Sequence, residues 1–142
     1  MHSMTYVLLR PPFGDVRAAA EALLRPHLVE DDDNNYNPKW HLDYWIHGDG
    51  DIKDAETAAA LGLTDDDYLG ENVCFVSRLG GRDLPTCIVT PDGQWHDWFD
   101  FGWKLRNPES ENEKALELWH ARIAEIYAAH DDCLAVQYDT HS

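Results

Sequence analysis

The sequence predicts an α+β fold, a ferredoxin-like βαββαβ two-layer sandwich with an acidic insertion. Three observations predict it: short apolar runs typical of strands, two segments with apolar residues at helical spacing, and one acid-rich segment that interrupts their order. The chain has 142 residues, of which 44% are hydrophobic, so it is long and apolar enough for one folded core. We expect a single domain over residues 1–142, with the insertion at roughly residues 48–81.

The first part of the chain is predicted to form a strand, a helix and a second strand. Residues 5–10 (TYVLLR) are a short apolar run that two prolines end, which is typical of a strand. Asp15 stands where a helix cap is expected, before an apolar stripe that continues to Leu24. Residues 39–47 (KWHLDYWIH) alternate roughly between aromatic or β-branched and polar side chains, which predicts the second strand.

The middle of the chain is predicted to contain the insertion and then a hairpin. Within the insertion, residues 54–62 are typical of a short capped helix and residues 72–79 (NVCFVSRL) of a strand. The sequence Pro-Asp-Gly-Gln at 91–94 favours a turn, so we expect residues 85–90 and 95–101 to pair as a hairpin.

The last part of the chain is predicted to be a long helix followed by a buried strand. Ser110 and Glu113 have the spacing of a capping box, and an apolar face continues from there to about His130. Residues 133–139 (CLAVQYD) are mostly apolar and predict the final strand. In a ferredoxin-like sheet this strand lies at an edge and the hairpin strand lies near the centre.

Acidic residues outnumber basic ones by 27 to 11, which gives a net charge of −16. Twelve of the acids lie between Glu30 and Asp67 against two lysines, a net charge of −10 in 38 residues. Because this charge repels phosphates, we expect no direct binding to nucleic acid or to membranes, and a basic protein as partner. Ten net charges equal those of about five base pairs of duplex DNA, so the segment resembles nucleic acid in charge density.

The predicted partner-binding residues are acids of this segment together with one tryptophan from residues 95–101, where aromatic and acidic side chains are mixed. Tryptophan is enriched at binding hot spots. The predicted set is Asp31, Asp32, Asp33, Asp49, Asp51, Asp65, Asp66, Asp67 and Trp98.

An alternative hypothesis is a small hydrolase, metal-dependent or acid–base, that uses His96, Asp139 and His141, with His47 as a further metal ligand. Imidazole and carboxylate groups together can bind a divalent metal or act as a base and its orienting group. Asp139 and His141 are two residues apart and therefore share one face of a strand. None of these residues has the spacing of an established metal or catalytic motif, so the sequence leaves open whether the protein is an enzyme.

No cofactor is expected, because the sequence contains no phosphate-binding loop. The three cysteines, Cys74, Cys87 and Cys133, form no C-x-x-C pair and lie in apolar runs, so we expect buried, inert thiols. An odd cysteine number, and no visible secretory signal or spanning segment, favour the cytoplasm.

Three separate segments of the chain carry a resemblance to a known family. They are residues 37–40 (NPKW) with 43–45 (DYW), residues 89–96 (VTPDGQWH) with 102–103 (GW), and residues 139–141 (DTH). They resemble a family of small, mostly uncharacterised phage and prophage proteins with a K-W-D-W-Y-type strand, a V-T-P-D-G-x-W-H hairpin and a C-terminal D-x-H. Where that family continues into G-G-R-W, this chain has His-Gly-Asp-Gly at 47–50, and His41 and Leu42 are extra.

The resemblance implies a phage or prophage origin and an accessory role. Together with the charge, it predicts an acidic, nucleic-acid-mimicking inhibitor of a basic host or defence protein, plausibly a nuclease, in the host cytoplasm. An immunity protein for a basic toxin would use the same mechanism and is a further alternative.

Overall fold

A computed structural model of the chain describes residues 1–29, 40–64, 68–82 and 84–142. In these residues it has six strands and four α-helices, in the chain order β1 (His2–Leu9), α1 (Val16–Leu24), β2 (Tyr44–His47), α2 (Ala55–Ala60), β3 (Val73–Phe75), α3 (Val76–Leu79), β4 (Cys87–Val89), β5 (Trp95–Asp97), α4 (Glu109–Ala129) and β6 (Leu134–His141). None of the helices in these ranges is long and apolar enough to cross a bilayer.

The strands form one mixed sheet in which β6 and β1 are central. The order is β2, β6, β1, β4, β5, and β3 also pairs with β6. Both β2 and β3 run antiparallel to β6, opposite residues 138–141 and 134–136 respectively, so they follow each other along one edge of β6. On its other edge β6 pairs antiparallel with β1, and β1 is parallel to β4. The predicted insertion therefore contributes a strand to the sheet.

Helices cover both faces of this sheet. Tyr6 and Leu8 of β1 belong to a buried apolar cluster with α4, whereas Val7 and Leu9 belong to a second cluster with α1. Because alternate residues of a strand point to opposite faces, the sheet lies between α1 and α4. The two clusters bury most of the apolar side chains of the three central strands.

The predicted α+β class is confirmed, but the strand order and the layers differ from the ferredoxin-like expectation. Both helices were expected on one face, and the last strand at an edge. Instead α1 and α4 cover opposite faces, the last strand is central and the hairpin strand β5 is at an edge. The physical reason is visible in β1, where residues 5–9 are all buried, as in strands that are covered on both sides.

Three elements differ locally from the prediction. Residues 72–79 do not form one strand, because β3 ends at Phe75 and α3 follows. After β5, residues 98–101 form a 3-10 helix with a capping box between Asp97 and Asp100. The capping box expected at Ser110 is absent, since α4 begins at Glu109 and makes no side-chain hydrogen bond at its N-cap, Pro108.

Candidate functional site

The loop that leaves β2, residues 48–51, crosses the α4 side of the sheet directly over Gln137 of β6. Gly48 permits this crossing, because a Cβ at this position would lie only 2.6 Å from Gln137 Cγ. The Tyr68 hydroxyl donates to the Gly48 carbonyl at 2.9 Å, and Ile52 is fully buried in the cluster with α4. The loop is thus fixed at both ends.

This crossing creates an acidic pocket of about 140 Å³ between the loop and the strands β1 and β6. Asp49 and Asp51 line it from the loop and Asp139 from β6, together with His2 and Gln137. The Gln137 Nε2 donates to Asp51 Oδ2 at 2.8 Å, and His2 Nδ1 donates to Asp139 Oδ1 at 2.9 Å. We call this feature the acidic pocket.

No lysine or arginine from the described ranges lines the acidic pocket. Several acids elsewhere have such partners: Arg17 pairs with Glu21 at 2.9 Å and Arg122 with Glu125 at 3.1 Å. The carboxylates of the pocket therefore leave a negative potential that an added cation would neutralise.

Gln137 makes one polar contact in the acidic pocket and has one unpaired amide oxygen. The residue is 3% exposed, and because its amide nitrogen donates to Asp51, the amide orientation is fixed by this contact. Its Oε1 has no hydrogen-bond partner among the described residues. A buried acceptor without a donor costs about 1–3 kcal/mol, so the fold carries this cost at Gln137.

The carboxylates of the acidic pocket lie on different walls, from the loop and from β6. In the described part of the chain no group of three histidine, cysteine or acidic residues has the geometry to hold a metal. An ammonium or guanidinium group is larger, carries several N–H donors and can reach carboxylates on different walls.

A second acidic group lies next to the pocket. His141 Nδ1 donates to Asp43 at 2.8 Å, and the His141 ring stacks on Tyr44 with centroids 4.7 Å apart. The hydrogen bond from His141 lowers the pKa of Asp43. The ring of His141 lies 4.9 Å from the ring of His2, which lines the pocket. Asp43, bonded to His141, therefore extends the negative surface beyond the pocket.

Of the predicted catalytic residues, Asp139 and His141 share one face of β6, and both lie next to His2, whereas His96 and His47 lie elsewhere. His96 lies on β5 at the far edge of the sheet, three strands or about 14 Å from Asp139 and His141 on β6. His47 lies on the opposite face, where its ring stacks on Tyr138 with centroids 5.7 Å apart. The expected ferredoxin-like strand order made a meeting of His96 with Asp139 and His141 possible but did not require it.

The hairpin sequence VTPDGQWH is explained by hydrogen bonds within the hairpin itself. The buried Thr90 hydroxyl donates to the Asp92 carboxylate and lies 3.1 Å from His96 Nε2. Gly93 has φ +84° and donates its N–H to the Thr90 carbonyl at 2.8 Å, which closes the turn. Burial lowers the pKa of His96, and the bond from Thr90 lowers the pKa of Asp92. These residues build the turn.

Two of the nine predicted partner-binding residues, Asp49 and Asp51, lie in the acidic pocket. Six others lie outside the described residues: Asp31, Asp32, Asp33, Asp65, Asp66 and Asp67. Trp98 lies beyond β5, where it packs against the core and stacks on Trp103 with centroids 4.1 Å apart. Trp98 is not among the described residues that line the acidic pocket.

Asp54 is an acid of the insertion that is neutralised inside the fold. It caps α2, is 6% exposed, and accepts hydrogen bonds from Arg78 at 2.7 and 3.2 Å. Arg82 approaches it to 3.7 Å. The Arg78 guanidinium, helped by Thr57, lowers the pKa of Asp54 to about 2 despite burial. This carboxylate anchors the insertion to α3.

The expectation of buried thiols is confirmed for all three cysteines, which are free and buried. Burial raises the pKa of Cys87 to about 12 and that of Cys133 to about 11, so neither is a thiolate at neutral pH.

His2 and Gln137 of the acidic pocket were missed by sequence reasoning. His2 begins β1 with no motif around it, and Gln137 is one polar residue within an apolar strand run. A glutamine within an otherwise apolar strand run was the one indication in the sequence of a polar site.

Comparison with known proteins gives no match: no family model, no curated protein and no solved structure is similar to the chain. The resemblance to phage-encoded proteins therefore stays a prediction.

Proposed function

We propose that this protein binds a basic protein, and that the acidic pocket accepts a lysine or arginine side chain of that partner. The observation that supports this most directly is the grouping of Asp49, Asp51 and Asp139 around one pocket without a lysine or arginine among the described lining residues. Gln137 Nε2 holds the Asp51 carboxylate in this pocket through a hydrogen bond of 2.8 Å.

The partner that this surface suits is a nucleic-acid-binding protein. Such proteins present basic clefts to phosphate groups, and a chain with net charge −16 competes for the same clefts. The resemblance to phage proteins motivates the more specific proposal of an inhibitor of a host or defence protein in the host cytoplasm. The acids predicted from sequence at 31–33 and 65–67 add to the negative charge of the chain.

The pocket carboxylates are expected to contribute a measurable part of the affinity. One partly exposed ion pair contributes up to about 1 kcal/mol, so three contribute up to about 3 kcal/mol, or roughly a hundredfold in the dissociation constant. Exposed acids far from the contact act only through the long-range field, which salt screens.

The first experiment measures binding of an oligoarginine peptide by fluorescence anisotropy. The test variant is Asp49→Asn, Asp51→Asn, Asp139→Asn, in which every side chain keeps an oxygen acceptor. The control variant is Glu109→Gln, Glu113→Gln, Glu117→Gln on the exposed side of α4, which removes the same charge. We expect at least about a tenfold loss of affinity in the test variant and less than about threefold in the control. Equal losses of affinity in the two variants would show that binding depends on net charge and not on the acidic pocket.

The second experiment tests the class of partner. The wild-type protein and the test variant are immobilised, exposed to bacterial lysate and eluted with a short DNA duplex, and the eluted proteins are identified. Nucleic-acid-binding proteins that the duplex releases from the wild type, and that the variant retains poorly, support the proposal. Captured proteins that duplex DNA does not displace would exclude nucleic-acid mimicry.

A further inference from the structure

A second cavity, of about 300 Å³, lies at the opposite end of β1 from the acidic pocket and on the α1 side of the sheet. It is bounded by the carboxyl end of β1, the segment that joins β1 to α1, one side of α1 and the turn after β4. Its walls are mainly apolar and include Leu9, Phe13, Val16, Leu23 and Pro91. Its volume is at the lower end of the range of small-molecule sites, about 300–1,000 Å³.

Arg10 is the one charged residue in the described wall of this cavity. It is exposed, and it forms no ion pair with any described residue, although acids outnumber bases by more than two to one in the chain. A guanidinium offers two parallel N–H donors that match a carboxylate. The cavity therefore combines an apolar interior with one positively charged side chain, that of Arg10.

The position of the cavity in the fold is independent support for a binding site. β1 and β4 are adjacent parallel strands, and the cavity lies outside their carboxyl ends. In open α/β sheets, ligands bind in crevices outside the carboxyl ends of parallel strands, where the strand order changes direction. The first turn of α1 contains no acidic residue, and the Asp15 carboxylate before it already accepts a hydrogen bond from the Ala18 N–H at 3.0 Å.

We propose that this cavity binds a small carboxylic acid with an apolar body, such as an aryl or short acyl chain. The apolar body occupies the space between Leu9, Phe13 and Leu23, and the carboxylate pairs with Arg10. The site is separate from the acidic pocket, so its test does not depend on the proposed binding of a basic protein.

The experiment titrates the protein with 3-phenylpropanoate and, separately, with its uncharged amide, and follows backbone amide signals by NMR. We expect saturable shifts around residues 8–16 and Leu23, with the acid bound at least about tenfold more tightly than the amide. Arg10→Gln should remove this difference and leave amide binding unchanged. Arg106→Gln, at another exposed arginine, is the control and should change neither.

A second variant tests whether both probes bind in the cavity itself. Ala19 is exposed and lines the cavity, so Ala19→Phe fills it from the solvent side and leaves the core intact. We expect this variant to lose binding of both probes while it stays folded. The proposal is overturned if the acid gives no saturable shift up to the millimolar range, if acid and amide bind equally, or if Ala19→Phe binds normally.

Discussion

Replacement of Asp54 by asparagine is predicted to destabilise the fold by about 2.5 kcal/mol at neutral pH. The pKa of this carboxyl falls from 3.8 to about 2 in the folded protein, mainly through the hydrogen bonds from Arg78. Each pKa unit corresponds to about 1.4 kcal/mol, and the side chain is only 6% exposed, so solvent screening removes little of this free energy. Asparagine still accepts the Thr57 N–H as a helix cap, so the change reports the ion pair.

The sign of the pH dependence follows from the direction of the shift. Because the carboxyl binds its proton more weakly in the folded state, its stabilisation is complete above about pH 5 and is lost as the pH falls toward about 2. The difference between wild type and Asp54→Asn should therefore shrink in acid.

Urea unfolding at several pH values between 7 and 2 measures this difference. Glu56→Gln is the matched control, since Glu56 also pairs with Arg78, at 2.8 Å, but its side chain is 76% exposed. The control should cost less than about 1 kcal/mol. A loss below about 0.5 kcal/mol for Asp54→Asn, or a loss that does not change with pH, would refute the reasoning.

Two further predictions concern the loop of the acidic pocket and the hairpin. Gly48→Ala should cost about 1–3 kcal/mol in urea unfolding, because the added Cβ would lie 2.6 Å from Gln137 Cγ, and Gln137→Ala in the same chain should recover most of the loss. If Gln137→Ala does not restore stability, the loss caused by Gly48→Ala does not come from contact with Gln137. Thr90→Val should cost about 1–2 kcal/mol, because the hydroxyl that joins Asp92 and His96 is removed from a buried site. An unchanged unfolding midpoint would mean that these bonds do not stabilise the hairpin.

The elements that the sequence predicts well are those fixed by neighbouring residues. Asp15 caps α1 as expected, with its carboxylate bonded to the Ala18 N–H, and Asp54 caps α2 in the same way. The apolar face of α4 is also confirmed, with Trp119 and Ile123 buried. Caps and helical stripes depend on contacts within a few residues, which a sequence pattern records directly.

The strand order was not predictable in this way, because it depends on contacts between distant parts of the chain. β6 could pair with β1 at an edge or inside the sheet, and the local pattern of either strand is the same. The continuous burial of residues 5–9 in β1 is the feature that indicates cover on both faces. The expected layers followed instead from the order of elements alone.

The candidate site was predicted only in part for the same reason. Asp49 and Asp51 belong to the acid-rich segment, so composition indicated them. Their meeting with Asp139, 88 residues after Asp51, depends on the passage of the loop over Gln137, which glycine at position 48 permits. A glycine alone gives no indication of which distant strand lies beneath it.

The central claim is that the acidic pocket binds a basic side chain, and the side-chain amide of Gln137 reports on it most directly. The measurement is an NMR titration with an oligoarginine peptide, with an oligoglutamine peptide of equal length as control. We predict that oligoarginine shifts the Gln137 side-chain amide signals and the backbone signals of Asp49, Asp51 and Asp139 together, and that oligoglutamine does not. Saturable binding of oligoarginine that leaves the Gln137 amide unchanged would contradict the account.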